Sequence, residues 1–236
     1  WVGQNAPTFD FPVCPLMLRA HGLACDRGDR RLFSAVDFSL APGEWLQVEG
    51  ANGAGKTSLL RMLAGLAPSA DGHIEWDGQP VSDVRDEFHA RLLYLGHAPA
   101  IKEDLSALEN LQTAAAVAGR PLDEATALAA LRRIGLKGRE DLPARVLSQG
   151  QKRRVALARL LCSQARLWIL DEPFVALDVA AVSLLCSILD EHLSRGGLLI
   201  FTSHQAVQLG GIGNTLRLGP DPDASRPRPT IAEVPA

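Results

Sequence analysis

Gly50-Ala51-Asn52-Gly53-Ala54-Gly55-Lys56-Thr57 has the spacing G-x4-G-K-[ST], the pattern of a loop that wraps phosphate. The glycines let the backbone curl until successive N–H groups point inward, and a helix start adds a favourable dipole. In such a loop Lys56 reaches the β- and γ-phosphates and the Thr57 hydroxyl ligates Mg²⁺. The context agrees with the pattern. Glu44–Glu49 reads as a strand feeding the loop, and a helix from about Lys56 to Leu66 leaves it. The nucleotide contacts expected here are Gly50, Asn52, Gly53, Ala54, Gly55, Lys56, Thr57 and Ser58.

Outward from the loop, short apolar runs alternate with helical periodicity. Leu92–Leu95, Leu167–Leu170 and Leu198–Thr202 are apolar runs, the last up to its closing threonine, which marks strands covered on both faces and hence a mainly parallel sheet. Leu18–Leu40 is strand-like around the turn Asp26–Asp29, and His73–Trp76 closes on the hairpin signal Asp77-Gly78. Ser106-Ala-Leu-Glu109 has capping-box spacing before apolar residues at helical intervals. Another helix is expected after Pro121, one after Ser148, and one carrying Val182, Leu185, Cys186, Leu189 and Leu193 on one face. The expected fold is therefore α/β: a P-loop NTPase with a mainly parallel RecA-like core, a small antiparallel β subdomain and a helical subdomain inserted at about 98–165. The domain is expected over 17–218, with 1–16 a flexible extension and 219–236 a disordered tail.

Four further motifs carry chemistry. Trp168-Ile-Leu-Asp171-Glu172-Pro173 ends an apolar strand in two carboxylates. Asp171 suits the Mg²⁺ shell, and Glu172 suits the general base for attack on the γ-phosphate. Leu147-Ser148-Gln149-Gly150-Gln151 opens a helix with a serine and a glycine, a second terminus able to receive phosphate. It resembles the signature of the ABC ATPases, with Gln149 at the variable third position. Ala176-Leu177-Asp178 resembles the D-loop of that family, and Thr202-Ser203-His204 its switch-histidine motif. The resemblance covers about 17–218. It implies ATP hydrolysis with Mg²⁺, catalysis by Glu172, His204 and Lys56, and a homodimer that sandwiches nucleotide. Ser148, Gly150 and Gln151 would then meet the γ-phosphate held by the other copy.

Two positions depart from the general pattern. Arg27 falls where an aromatic residue usually stacks on adenine, a role a planar guanidinium can also fill. His97, after Leu95-Gly96, stands in place of the Q-loop glutamine. With Cys25–Phe33, Gly43–Gly50, Leu95–Pro99, Ala107–Leu111 and Arg153–Arg159, these departures resemble the ATP-binding subunits of cytochrome c maturation, or heme-export, transporters. That resemblance implies integral membrane partner subunits and a peripheral place on the cytoplasmic face of a bacterial inner membrane. It also implies coupling of ATP hydrolysis to heme export or to release of a heme-loaded chaperone. Another transporter's ATPase fits the general motifs too. A soluble ATPase of ribosomes or DNA fits less well, because such proteins usually carry two cassettes or a long coiled coil.

Composition narrows the classes further. Across 236 residues 47% are apolar and 22% charged, with a net charge of −3, the balance of a globular domain rather than a basic nucleic-acid surface. No nucleic-acid partner is expected. Nothing approaches the roughly 18–20 apolar residues that span a bilayer. Cys14, Cys25, Cys162 and Cys186 form no metal-ligand spacing, and Cys14-Pro15 lies in the expected extension, so no direct heme binding is expected. His21, His73, His89 and His192 read as surface or satisfied structural residues, and Lys152-Arg153-Arg154 as a solvated face.

Overall fold

The computed structural model describes residues 17–205 and 207–219, so residues 1–16 with Cys14, and all of the expected tail but Gly219, lie outside the described residues. The strands are β1 (Leu18–Arg27), β2 (Arg30–Leu40), β3 (Glu44–Gly50), β4 (Asp71–Trp76), β5 (Gln79–Pro80), β6 (Leu92–Leu95), β7 (Leu167–Leu170), β8 (Leu198–Thr202) and β9 (Ile212–Leu218). The helices are α1 (Lys56–Leu63), α2 (Arg85–Ala90), α3 (Ala107–Val117), α4 (Glu124–Arg133), α5 (Gln149–Cys162) and α6 (Val179–Ser194).

The central sheet has the order β6-β7-β8-β3-β9, and every recorded pairing in it is parallel. Strands β6, β7 and β8 are almost wholly apolar because each face of the sheet has its own cover. Leu167, Ile169, Leu198, Ile200, Leu46 and Val48 turn toward α1 and the second sheet, whose buried residues include Leu18, Leu23, Leu59 and Trp76. Trp168, Leu170, Leu199 and Phe201 turn the other way, toward α5 and α6 and the α3–α4 pair beyond. Each such side chain, fully buried, contributes about 1.5–3 kcal/mol. The second sheet, β2-β1-β4-β5, is antiparallel and turns at Asp77-Gly78 as expected, both residues having positive φ. The structure thus has the parallel core, small antiparallel sheet and helices that the sequence predicts.

Local sequence sets the helix starts. Ser106 accepts the Glu109 N–H while the Glu109 carboxylate accepts the Ser106 N–H, a complete capping box on α3. Asp123 caps α4 and Asp178 caps α6 in the same side-chain-to-backbone manner. Two elements escape the sequence reading. Helix α2 has six residues and buries only Phe88, too little to show a period. Strand β9 lies at the sheet edge beside β3 and is exposed at most positions, so it lacks the apolar run that marks the other strands.

His192 is structural, as the sequence reading holds. Its ring stacks on Trp168 at 3.7 Å and 5°, and Nε2 donates to the Leu198 carbonyl at 3.2 Å. Burial pushes its pKa down from 6.5 to about 4. The unfolded chain therefore takes up a proton in that interval that the folded chain refuses, and stability falls as pH drops through it. Between pH 7 and pH 4 the wild-type chain is expected to lose on the order of 3 kcal/mol more than His192→Gln in denaturant titrations. Equal losses in the two proteins would show that the ring protonates in place.

Candidate active site

Parallel strands bring their C-terminal ends to one edge, and this places distant motifs together. The register sets Val48 beside Thr202, and Leu170 beside both Phe201 and Leu95. The residues just past those ends are the phosphate loop after β3, Gly96-His97 after β6, Asp171-Glu172 after β7 and Ser203-His204 after β8. Arg27, Asn52, Gly53, Gly55, Lys56, Thr57, Ser58, His97, Asp171, Glu172 and His204 line one cleft there. Leu32 of β2 also lines it, beside Arg27. Sequence reasoning missed Leu32, because a half-buried leucine in a strand carries no signal of a ligand wall.

Gly55 caps α1 at φ 100°, and a Cβ there would stand 2.9 Å from the Phe33 ring. Only glycine fits a left-handed turn this close to an aromatic neighbour. Lys56 Nζ donates to the Gly50 carbonyl at 2.7 Å and the Ala51 carbonyl at 3.3 Å, which lays the ammonium across the loop. Gly50 and Ala54 support the curve from within the loop rather than lining the cleft, Ala54 donating to the Ala51 carbonyl.

The two carboxylates differ sharply in how they are held. Asp171, 2% exposed, accepts from the Thr57 hydroxyl on Oδ2 and from the Thr202 hydroxyl on Oδ1, each at 2.8 Å. The Thr202 hydroxyl in turn accepts the Glu172 N–H at 2.8 Å. Both Asp171 oxygens are thereby oriented beside Thr57. Glu172 sits in the left-handed region at φ 50°, a conformation that costs a non-glycine residue about 1–3 kcal/mol. Its Oε1 is buried and has no hydrogen-bond partner among the described residues. His204 Nε2 lies 3.3 Å from that oxygen, near enough for an ion pair but not aligned as a hydrogen-bond donor. An unsatisfied buried carboxylate oxygen facing a cleft is a ready acceptor for a proton from water.

Ser148, Gly150, Gln151 and Asp178 are not brought into this cleft. Ser148 and Gln151 form a reciprocal capping box on α5. A Cβ on Gly150 would meet the Ala176 carbonyl oxygen at 2.7 Å, so glycine lets the start of α5 press against the segment before α6. Asp178 accepts the Ala181 N–H with one oxygen and Arg154 Nη2 with the other.

The basic run after Ser148 corrects the sequence expectation of a solvated face. Lys152 and Arg153 are buried. Arg153 donates to the carbonyls of Asp171 at 2.9 Å and Glu172 at 2.6 Å through Nη2, and to those of Gly96 and His97 through Nη1. Its Nε reaches the Pro173 carbonyl. Burial pulls the guanidinium pKa down, opposed by the charges of Asp171 and Glu172. One side chain of the α5 helix thus grips the backbone at the ends of both β6 and β7. The sequence could not announce this, because the carbonyls come from segments about 20 and 56 residues away.

Fold and cleft together define a P-loop ATPase of the ATP-binding cassette class. The family described as ABC transporter matches residues 33–175. A protein of Dechloromonas aromatica named "Cytochrome c biogenesis ATP-binding export protein CcmA" is 56% identical over 204 residues, 86% of this chain and all of that protein. The protein of the same name from Methylococcus capsulatus is 51% identical over 209 residues, covering 89% of this chain and 99% of the relative. Among solved structures, a dimeric ATP-binding cassette in a post-hydrolysis state with ADP and phosphate shares the fold, with a TM-score of 0.70 at 20% identity over 80% of this chain and 88% of that one. The chain belongs to the ABC transporter ATP-binding family, within the group that contains these cytochrome c biogenesis export proteins. It binds and hydrolyses ATP. Among the described residues no helix is long and apolar enough to cross a membrane.

Proposed function

We propose that this ATPase works as a homodimer beneath integral membrane subunits, on the cytoplasmic face of a bacterial inner membrane. Its hydrolysis of ATP would drive heme export, or release of a heme-loaded chaperone, in cytochrome c biogenesis. The observation that carries the dimer is the split of the site. Loop, carboxylates and His204 share one cleft, whereas Ser148, Gly150 and Gln151 lie outside it. A second copy, turned to face the first, supplies that terminus to the γ-phosphate. The names of the relatives support the pathway.

In each cleft Lys56 binds the β- and γ-phosphates, and Gly50–Gly55 offers backbone N–H groups to them. Arg27 stacks on the base against Leu32. The Thr57 hydroxyl and Asp171 carboxylate are hard oxygen donors already held side by side, and they fit Mg²⁺. Bound there, the ion would offset charge on the phosphate oxygens. Glu172 accepts the proton of the attacking water on Oε1, while His204 beside it contacts the γ-phosphate. His97, at the junction with the helical subdomain, relays nucleotide state toward the membrane subunits.

Expression of this chain in bacteria that lack their own homologue is expected to restore covalent heme attachment to c-type cytochromes, and Lys56→Ala is expected not to. Membrane subunits should co-purify with it. Full ATPase activity without restoration, together with co-purification of a different membrane protein, would assign the chain to another transporter.

A further inference from the structure

We propose that His21, His73 and Glu75 form a divalent transition-metal site of the zinc class on the outer face of the antiparallel sheet. His21 of β1 lies directly opposite His73 of β4, and Glu75 follows two positions on, so the pleat brings all three to the same exposed face. Both imidazoles direct Nε2 at one carboxylate: His21 to Oε2 at 3.4 Å and His73 to Oε1 at 3.3 Å. Donors bound about 2.0–2.1 Å from a tetrahedral ion stand roughly 3.3–3.4 Å apart. Whichever Glu75 oxygen serves as the donor, one edge of such a tetrahedron is already set. The three donor atoms lie within 4.8 Å of one another, so the other edges need only small rotations of the exposed imidazoles and the carboxylate.

The backbone holds the pair in place. Gly22 and Gly72, next to the two histidines, both have positive φ, and a Cβ on Gly72 would run into the His21 carbonyl and Gly22. The two strands thus meet more closely here than side chains would allow. The rings stack at 4.9 Å and 23°. Arg19, opposite Glu75 in the register, turns its Nε to the Met17 sulfur at 3.0 Å. Two imidazoles and a carboxylate are a donor set that zinc, cobalt, nickel and copper prefer, with a fourth position open to water. The bound ion ties β1 to β4. Strand β1 is the one that ends at Arg27 in the nucleotide cleft.

The test uses the full chain without a histidine tag, freed of metal, with Zn²⁺ as the probe. One Zn²⁺ per chain is expected to bind, competing with a chromophoric chelator, and to raise Tm by roughly 5 °C at a hundredfold excess over Kd. His73→Gln and Glu75→Gln should each weaken uptake roughly tenfold or more, and lose the Tm rise, while ATPase activity and Tm in EDTA stay at wild-type values. Asp171→Asn should leave this uptake unchanged, which separates the site from the nucleotide cleft. Zn²⁺ uptake that survives the His21→Gln/His73→Gln double variant, or no uptake by the wild type, overturns the proposal and leaves two histidine–glutamate ion pairs.

Discussion

Glu172→Gln is expected to lower ATP turnover about 10²–10⁴-fold, the range for a lost general base, while ATP binding persists. The substitution keeps the size of the side chain and its ability to accept a hydrogen bond. What it removes is the carboxylate whose Oε1 is buried, faces the cleft and lacks a hydrogen-bond donor among the described residues. An amide there cannot take a proton from water. Because the proposed dimer closes only when Ser148 and Gly150 of one copy reach the γ-phosphate of the other, ATP acts as the adhesive and hydrolysis removes it. The variant with Mg-ATP should therefore elute near twice the monomer mass. Adding Ser148→Arg, which fills the second phosphate terminus, should return it to monomer. Turnover is best measured in the complex with membrane subunits. An unimpaired Glu172→Gln rate there would remove Glu172 as the base.

The fold was legible wherever a side chain's burial matched its chemistry. Leu167–Leu170 and Leu198–Thr202 read as buried strands because both faces of the sheet are covered, and they are strands at those residues. The phosphate loop was legible because its glycine positions are steric requirements, as the contact between Gly55 and Phe33 shows. Strand β9 was not legible, since it is held by backbone pairing to β3 and needs no apolar pattern. The active-site edge was readable as separate motifs, because each loop follows an apolar strand. The bonds that join those loops were not. Thr202, fully buried, links Asp171 to the Glu172 N–H, yet a threonine at a strand end looks like any β-branched residue. Arg153 is the larger case, because three successive cations in a helix normally face water. Here the expectation fails because the Arg153 guanidinium is buried against backbone carbonyls at the ends of β6 and β7.

Arg153→Met is expected to lower kcat for ATP roughly 10²-fold while changing nucleotide affinity far less. Methionine preserves the apolar length of the side chain and deletes every donor. The carbonyls of Asp171 and Glu172 then lose buried partners, and each such loss costs about 1–3 kcal/mol. The consequence for chemistry follows from where those carbonyls sit. Glu172 is held in a left-handed conformation that its own backbone disfavours, and the guanidinium is among the groups that keep it there. Released, the carboxylate moves relative to the γ-phosphate, and a shift near 1 Å is enough for a loss of this size. Lys56 and the phosphate loop make no bond to Arg153 among the described residues, so ATP binding should survive. Arg153→Lys should recover part of the rate, since one ammonium can serve one or two carbonyls but not the spread that the fork reaches. A global folding defect would instead lower binding and kcat together and would not respond to lysine. Arg154→Ala is the useful comparison, because its partner Asp178 is exposed and lies outside the cleft. If Arg153→Met proves as active as the wild type, the grip on Glu172 is structural only, and the left-handed turn is held by Thr202 and the sheet alone.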